Sequence, residues 1–517
     1  MPWFDLFNLR LNRGVYVGIH DPVSRYKTLR FELQPGIANR EGENWPTKEE
    51  IGPNDPVGLL IHWTLFPYIK PCAAFEGPPV RIQFHDSDWH AAARIYRNWF
   101  EATFKLADLS KNWMYQEMGF QDTMFLLPEG NVKCRFTDIP RWAADAQKYG
   151  IHSVLISGWN VGGHDGGYPD YSPDPRLGTW DELQAGIEAC HRLGTKVFFF
   201  VNVQPVDIGT PRYQSEFSKY RQVGKYGEPR YVGFGMGSLG ARIGFTHRPL
   251  QEMSSGVPEF RKIIVTQMEH LARIGADGVH IDKLCPGRMD FNPLLKLSPD
   301  EAFSQGQLAA VGEIQSACNA IHPDFSISAE CPWDRLLEYT GVGWSWHQPA
   351  GQHIPVFKYT FPTQYLPTMA AAQPYDYTAV NNAVRYGYQI FVGPGNYTES
   401  MDYQPFRPLA NYIKEVVRLR KELSETIYSG EFLDTLEASI SSSGETGYCV
   451  FRNRRSKKRA SVIVNYERNT REVTVSKFED NNSGSVTVYQ PFTPTHHARL
   501  PISLQLAGER LAVVVEE

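Results

Sequence analysis

From about residue 113 to 428 the chain alternates short apolar, β-branched runs with segments of helical periodicity. Repeated strand-then-helix order points to a parallel α/β domain, because parallel strands need a long crossover that a helix supplies. Strands are expected at Trp113 to Gly119, Ile151 to Trp159, Thr195 to Val206, Ala276 to Leu284, Phe325 to Glu330, Val342 to His347, Val356 to Phe361 and Tyr388 to Gly393. Helices are expected at Asp138 to Lys148, Thr179 to Leu193, Pro258 to Ile274, Pro299 to Ala320, Trp333 to Thr340, within 364 to 387, and at Pro405 to Ser424. Eight such units favour a closed (β/α)8 TIM barrel over an open doubly wound sheet. No G-x-G-x-x-G or Walker-type loop follows a strand, which leaves nucleotide binding with little support.

The flanks read differently. Residues 1–87 carry short alternating runs, such as Gly14 to His20 and Lys27 to Leu33, broken by Gly, Pro and Asn, as an N-terminal β-sandwich would. Residues 88–112 form a linker whose Asp88 is an N-cap and whose Trp89, Ala92, Ile95, Tyr96 and Trp99 share one helical face. The barrel is assigned 113–428. Residues 429–517 return to β, with Tyr448 to Phe451, Ala460 to Val464, Val473 to Val475 and Leu511 to Val515 as strands of a small antiparallel C-terminal sandwich.

Net charge is about −5 with no basic block, which argues against nucleic acid as a partner. No apolar run approaches the roughly 20 residues that span a bilayer, so no membrane association is expected. The seven cysteines are scattered without a C-x-x-C pair, so neither a zinc site nor a disulfide framework is indicated. With no basic, apolar leader at Met1, a reduced cytoplasmic protein is the simplest reading; a secreted or periplasmic chain trimmed of its signal would look the same. A homo-oligomer is compatible with all of this. Aromatic residues reach 13%, a composition suited to stacking on sugar rings and equally to packing a β-rich fold.

Catalytic groups of such barrels sit at the C-terminal ends of strands. Two strands end on carboxylates: the fourth on Asp282 and the fifth on Glu330. Adjacent strands lie about 5 Å apart, so their tips can reach the roughly 5–5.5 Å carboxyl separation of retaining glycosidases. In this reading Asp282 is the nucleophile, kept ionised with help from Lys283, and Glu330 is the acid/base, its pKa raised by the nearby charge and by Trp333. Asp334 is a rival acid. Asp277, at the bottom of the fourth strand, is structural, as are the helix-start residues Asp138 and Asp181. Trp159 offers a stacking face, and Asn160, His164 and Asp165 lie in a glycine-rich loop that can approach a ligand. Asn202, His280, Lys283, Trp333, Trp346 and His347 complete the candidate sugar-binding residues. Gln116, Glu117, Gln204, Asn396 and Tyr397 are further polar or aromatic groups assigned to the same face. No H-x-H or H-E-x-x-H cluster is present, and neither a metal nor another cofactor is expected.

Asp277-Gly278-Val279-His280-Ile281-Asp282 resembles the fourth-strand nucleophile motif of the α-amylase clan, D-G-x-R-x-D, and Ile327 to Glu330 resembles that clan's fifth-strand acid/base. His280 stands where amylases place arginine, and no N-H-D follows the seventh strand, which points away from starch. A closer resemblance is to barrel enzymes related to endo-α-N-acetylgalactosaminidases. It extends to a group of bacterial glycosidase-like barrel proteins sharing Gly14-Val15-Tyr16, the Trp89 to Trp99 helix and the Gly163-x-Asp165…Tyr168-Pro169-Asp170-Tyr171 loop. The resemblance implies a retaining glycoside hydrolase acting on an α-linked galactoside, glucoside or related sugar, with an oligosaccharide, polysaccharide or simple glycoside as partner. The alternatives are a non-catalytic carbohydrate-binding barrel and a transglycosylase or phosphorylase on the same fold.

Overall fold

The computed structural model describes residues 1–35, 57–109, 112–234, 248–284, 287–344, 354–479 and 484–517. Its centre is an eight-stranded parallel sheet in the order five, four, three, two, one, eight, seven, six, numbered along the chain. The strands are Gly119–Met124, Ser153–Ser157, Lys196–Asn202, Gly278–Asp282, Ser326–Ala329, Val342–Trp344, Leu366–Ala371 and Gln389–Val392. Strands five and six close the ring at a seam without a regular ladder, where the Cys331 N–H donates to the Trp344 carbonyl at 2.8 Å. Gly343 is required there: a Cβ would stand 1.7 Å from the Ala329 carbonyl oxygen. This is the expected TIM barrel.

Six strands lie where the apolar runs place them; two do not. Trp113–Gln116 is a single helical turn capped by Asn112, whose Oδ1 accepts from the Met114 N–H at 2.9 Å. Its apolar side chains plug the barrel floor, with Trp113 Nε1 donating to the Asp277 carbonyl at 3.2 Å. The first strand therefore starts at Gly119, and Gln116 and Glu117 leave the set of strand residues. Val356–Thr360, whose alternating Val, Lys and Thr imitate a strand, is a helical turn in which Thr360 Oγ1 donates to the Val356 carbonyl at 2.7 Å. The seventh strand is Leu366–Ala371, where Pro367 and small alanines give no strand signal. Residues 345–353, including Trp346 and His347, lie outside the described residues.

The helices Ile139–Lys148, Trp180–Arg192, Pro258–Arg273, Pro299–Ile321, Tyr377–Arg385 and Arg407–Glu422 pack outside the barrel. Thr179 caps the second of these with Glu182 in a reciprocal capping box. N-terminal to the barrel stand a three-stranded antiparallel sheet (Trp3–Asn8, Arg13–Ile19, Val80–Asp86) and a two-stranded pair (Lys27–Pro35, Val57–Leu65), then the Trp89–Thr103 helix with Asp88 as its cap. C-terminal to it, a six-stranded and a three-stranded antiparallel sheet enclose a core that includes Ile463, Val473, Val475, Ala512 and Val514. Val462, Val464, Leu511 and Val513, on the alternate face, join the barrel's own core. Burial on both faces explains why Leu511 to Val515 is a continuous apolar run rather than an alternating one.

At the barrel floor Asp277 binds three partners: His191 Nε2 and Lys196 Nζ at 2.7 Å each, and the Val197 N–H at 2.8 Å. Burial would raise its pKa, but these donors outweigh that and hold it below the ordinary carboxylate value. A depressed carboxylate contributes stability above its unfolded pKa and loses it as pH falls through the folded value. Asp277→Ala is expected to cost about 2–3 kcal/mol, by leaving the Val197 N–H, the Lys196 ammonium and the His191 ring without their acceptor. Thermal melts from pH 7 down to pH 3 check this: the wild-type advantage should shrink toward the acid end.

Candidate active site

Strand register places the site. His280 pairs with Phe200 and Ser328, and Asp282 with Asn202, so these side chains face the barrel interior while Val279 and Ile281 face the helices. The Glu330 N–H donates to the Ile281 carbonyl at 2.8 Å, extending the fifth strand by one step and bringing Glu330 beside Asp282. The Glu330 carboxyl is close enough to push the pKa of Asp282 up. The Lys283 N–H donates to Glu330 Oε2 at 2.9 Å. The Lys283 ammonium folds back to bind both Asp282 Oδ2 and, at 3.0 Å, Asp165 Oδ1 from the loop after strand two. One cation thus spans the tips of strands two and four.

Asp165, Lys283 and Cys331 all have left-handed backbone, with φ of 55°, 62° and 51°. Non-glycine residues adopt it where the surroundings over-determine the turn, and such positions cluster at functional sites. Here the left-handed turn accompanies an arrangement in which the Lys283 N–H meets Glu330 while its side chain meets Asp282.

Burial sets the electrostatics. Asp282 lies well above the ordinary carboxylate range because it is desolvated; Lys283 pulls it down, and Glu330 and Asp165 push it back up. Burial thus works against the expected ionisation of Asp282, and Lys283 works for it. Lys283 is also desolvated, yet its two carboxylate partners hold it firmly protonated. His164 is lowered by burial, and His280 is pushed down to about 3 by burial and by Lys283. The imidazole of His280 is therefore neutral, with Nδ1 2.7 Å from Ser328 Oγ and its ring stacked on Trp344 at 4.0 Å. Trp344 stacks in turn on Phe391 at 4.7 Å, and Phe391 on Tyr397 at 5.4 Å. This aromatic row lines the barrel interior, and it keeps the local dielectric low.

The other expected residues divide. His164 packs on Phe200 at 4.7 Å, with Nε2 3.7 Å from Asp165 Oδ2, and so belongs to the same cluster. Asn202 stands at the tip of strand three, its backbone tied to the Tyr171 hydroxyl, which donates to the Asn202 carbonyl at 2.6 Å. Asn160 braces its own loop, Nδ2 donating to the Gly166 carbonyl at 2.9 Å. Trp159 is a correction: it is fully buried, stacks on Tyr171 at 5.8 Å and donates Nε1 to the Phe200 carbonyl, so it packs the loop and presents no face to a sugar. Asp334 is another. Its carboxylate accepts from the Tyr96 hydroxyl at 2.7 Å and lies 3.7 Å from the Met1 amine, which turns it to the linker helix. Trp333, half-buried, lines a cavity of about 300 Å³ with Trp63, Trp99 and Asp334, between the N-terminal sheets and the barrel loops.

One interior carboxyl escaped the sequence reading. Asp122, on strand one, accepts from Ser157 Oγ at 2.7 Å, and burial pushes it up to about 7. The signal was the alternation Phe120, Asp122, Met124, visible only once the strand begins at Gly119. Among the described residues no group of three His, Cys, Asp or Glu side chains is set to hold a metal ion.

With this geometry established, known proteins can be compared. Residues 79–294 match the model of a domain of unknown function, DUF6259. No curated protein sequence matches the chain. Solved structures do. An α-N-acetylgalactosaminidase of Bifidobacterium bifidum in complex with GalNAc superposes with a TM-score of 0.61 at 11% identity, covering 89% of this chain and 72% of that one. A variant GH36 α-galactosidase of Geobacillus stearothermophilus in complex with raffinose gives 0.60 at 12%, covering 100% and 71%. An α-amylase of Geobacillus thermoleovorans with acarbose gives 0.51 at 13%, covering 78% and 99%. At these identities the likeness establishes a fold shared with α-glycoside hydrolases. No described helix is long and apolar enough to cross a membrane.

Proposed function

We propose that the chain is a retaining glycoside hydrolase for an α-linked galactoside, N-acetylgalactosaminide, glucoside or related sugar, within the endo-α-N-acetylgalactosaminidase-like barrels. The observation that carries the reading is the Asp282–Glu330 pair on adjacent strand tips, with Lys283 donating its N–H to Glu330 and its ammonium to Asp282. With one proton between them, two neighbouring carboxyls supply one acid and one base, which double displacement requires.

Asp282, left ionised beside Lys283, attacks the anomeric carbon as Glu330 gives its proton to the departing glycosidic oxygen. The C–O bond to the leaving group breaks as the ester to Asp282 forms. Glu330, now a carboxylate, takes a proton from water, whose oxygen displaces Asp282 and returns the sugar with its original anomeric configuration. The Lys283 ammonium offsets charge at Asp282, and His280 and the aromatic row exclude water below it. His164, Asp165, Asn202 and Lys283 are the proposed hydroxyl-binding groups, Asp165 through its bond to Lys283 and His164 beside Asp165. Domain limits of 1–87, 88–112, 113–428 and 429–517 belong to this proposal, with the middle segment carrying the chemistry.

A panel of aryl α- and β-glycosides, with NMR of the first-formed sugar, tests it. An α-glycoside should be hydrolysed to the α-sugar first. First release of the β-sugar would rule out retention. Sugar binding without turnover would identify a non-catalytic barrel, and products with added acceptor or phosphate would identify transfer or phosphorolysis.

A further inference from the structure

The cavity of about 300 Å³ between the N-terminal sheets and the barrel loops lies outside the carboxyl pair. Three indoles from three elements line it: Trp63 of the Val57–Leu65 strand, Trp99 of the Trp89–Thr103 helix, and Trp333 of the loop after strand five. All three are half-buried. Phe4 stacks against Trp63 at 6.3 Å and His20 against Trp99 at 4.3 Å, which holds both rings in place. The Nε1 atoms of Trp63 and Trp333 are buried, and neither meets an acceptor among the described residues. Asp300, in the first turn of the Pro299–Ile321 helix, lines the same cavity and is 4% exposed. Its Oδ1 meets no donor among the described residues.

The side-chain cations of the wall already have partners. Asp21 takes Arg25 and Lys27 at 3.0 Å each, Arg288 is bound to Glu252, and Arg335 to Glu338. An anionic ligand would therefore find no spare cation and would face the Asp300 carboxyl. A wholly apolar ligand would leave the two indole N–H groups and Asp300 unmet. Water can satisfy Asp300 but has no apolar face to lay on an indole. A pyranose does both: its hydroxyls donate and accept, and its C–H face stacks on aromatic rings. We propose that this cavity binds one neutral pyranose unit, whose hydroxyls accept from Trp63 and Trp333 Nε1 and donate to Asp300 Oδ1. A volume of about 300 Å³ lies at the small end of ligand sites, room for one sugar ring rather than a chain.

Trp333 is three residues beyond Glu330, so their Cα atoms are at most about 11 Å apart. Gly287 and Arg288, of the loop after strand four, also line the cavity. The two strands that carry Asp282 and Glu330 thus each send a loop to it. Glu330, as the acid, stands on the leaving-group side of the cleaved bond. The pyranose held here then belongs to the leaving-group end of an oligosaccharide, and this placement alone rests on the retaining-hydrolase reading.

Crystals of the unaltered full chain, soaked separately in D-galactose, N-acetyl-D-galactosamine and D-glucose, test the site, since free monosaccharides offer no glycosidic bond to cleave. At least one should show a sugar ring against Trp63 or Trp333 with a hydroxyl on Asp300 Oδ1. In solution, tryptophan fluorescence should titrate with the same sugar. Trp63→Phe and Asp300→Ala should each raise its dissociation constant by about five- to tenfold. Trp63→Phe keeps a ring against Phe4, so it removes the donor without unpacking the sheet. Sugar density confined to Asp282 and Glu330, or absent with all three sugars, would overturn the site and leave the hydrolase reading untouched. Cavity density with an affinity that neither substitution changes would mean binding at crystal concentration only, and would overturn it too. Cavity binding by a chain that hydrolyses no glycoside would uphold the site and remove only its place in a leaving group.

Discussion

Asp282→Asn and Glu330→Gln are each expected to abolish turnover while leaving the far-ultraviolet spectrum and Tm close to wild type. Both are near-isosteric, and Lys283 keeps its bond to Asp165 in either variant, so the fold should be preserved. Loss of the nucleophile should cost at least about 10⁴-fold in kcat, and loss of the acid/base about 10²–10⁴-fold, less for aryl glycosides whose leaving groups need no proton. Truncation separates the roles. In Glu330→Ala, azide should attack the glycosyl-enzyme and yield an α-glycosyl azide. In Asp282→Ala, azide should take the empty nucleophile position and yield the β-azide. Exchange of these products would swap the two roles, and full activity in either carboxylate variant would remove the assignment altogether.

Lys283→Met should be the most damaging change outside the carboxyl pair, lowering kcat/KM by about 10²–10³-fold. The ammonium is the nearest charge that favours ionised Asp282, and it also fixes Asp165 across the site. The pH profile distinguishes this from simple misfolding. The active form carries one proton on the pair, so kcat/KM falls at low pH as a second proton binds and at high pH as the shared proton leaves. Burial places that basic limb well above the ordinary carboxylate range. Since Lys283 lowers the pair, removing it should move the basic limb higher still. Lower activity with an unchanged profile would mean that Lys283 acts through packing alone.

How much of this could be read beforehand depends on what each residue interacts with. Apolar runs with helical or alternating period report local burial, and they located six of eight strands and the long helices. They failed where tertiary context overrides local preference. Trp113 and Met114 are apolar because they plug the floor, not because they lie in a strand, and that shift hid Asp122. Leu366–Ala371 is a strand because it is held between strands six and eight, although its proline and alanines argue otherwise.

Asp282 and Glu330 were readable because the end of a barrel strand is a sequence position, and the spacing of neighbouring tips follows from sheet geometry. Side-chain direction was not readable. Trp159 and Asp334 have the chemistry of sugar-binding residues, yet one is covered by Tyr171 and the other is turned to Tyr96. Local sequence specified which residues were available; only the closed barrel decided which of them meet, because the charge on Asp282 depends on neighbours brought together from distant parts of the chain. His280 shows the division best. Its place in the fourth-strand motif was visible in the sequence, but its neutrality comes chiefly from burial, which the closed barrel supplies, and then from Lys283.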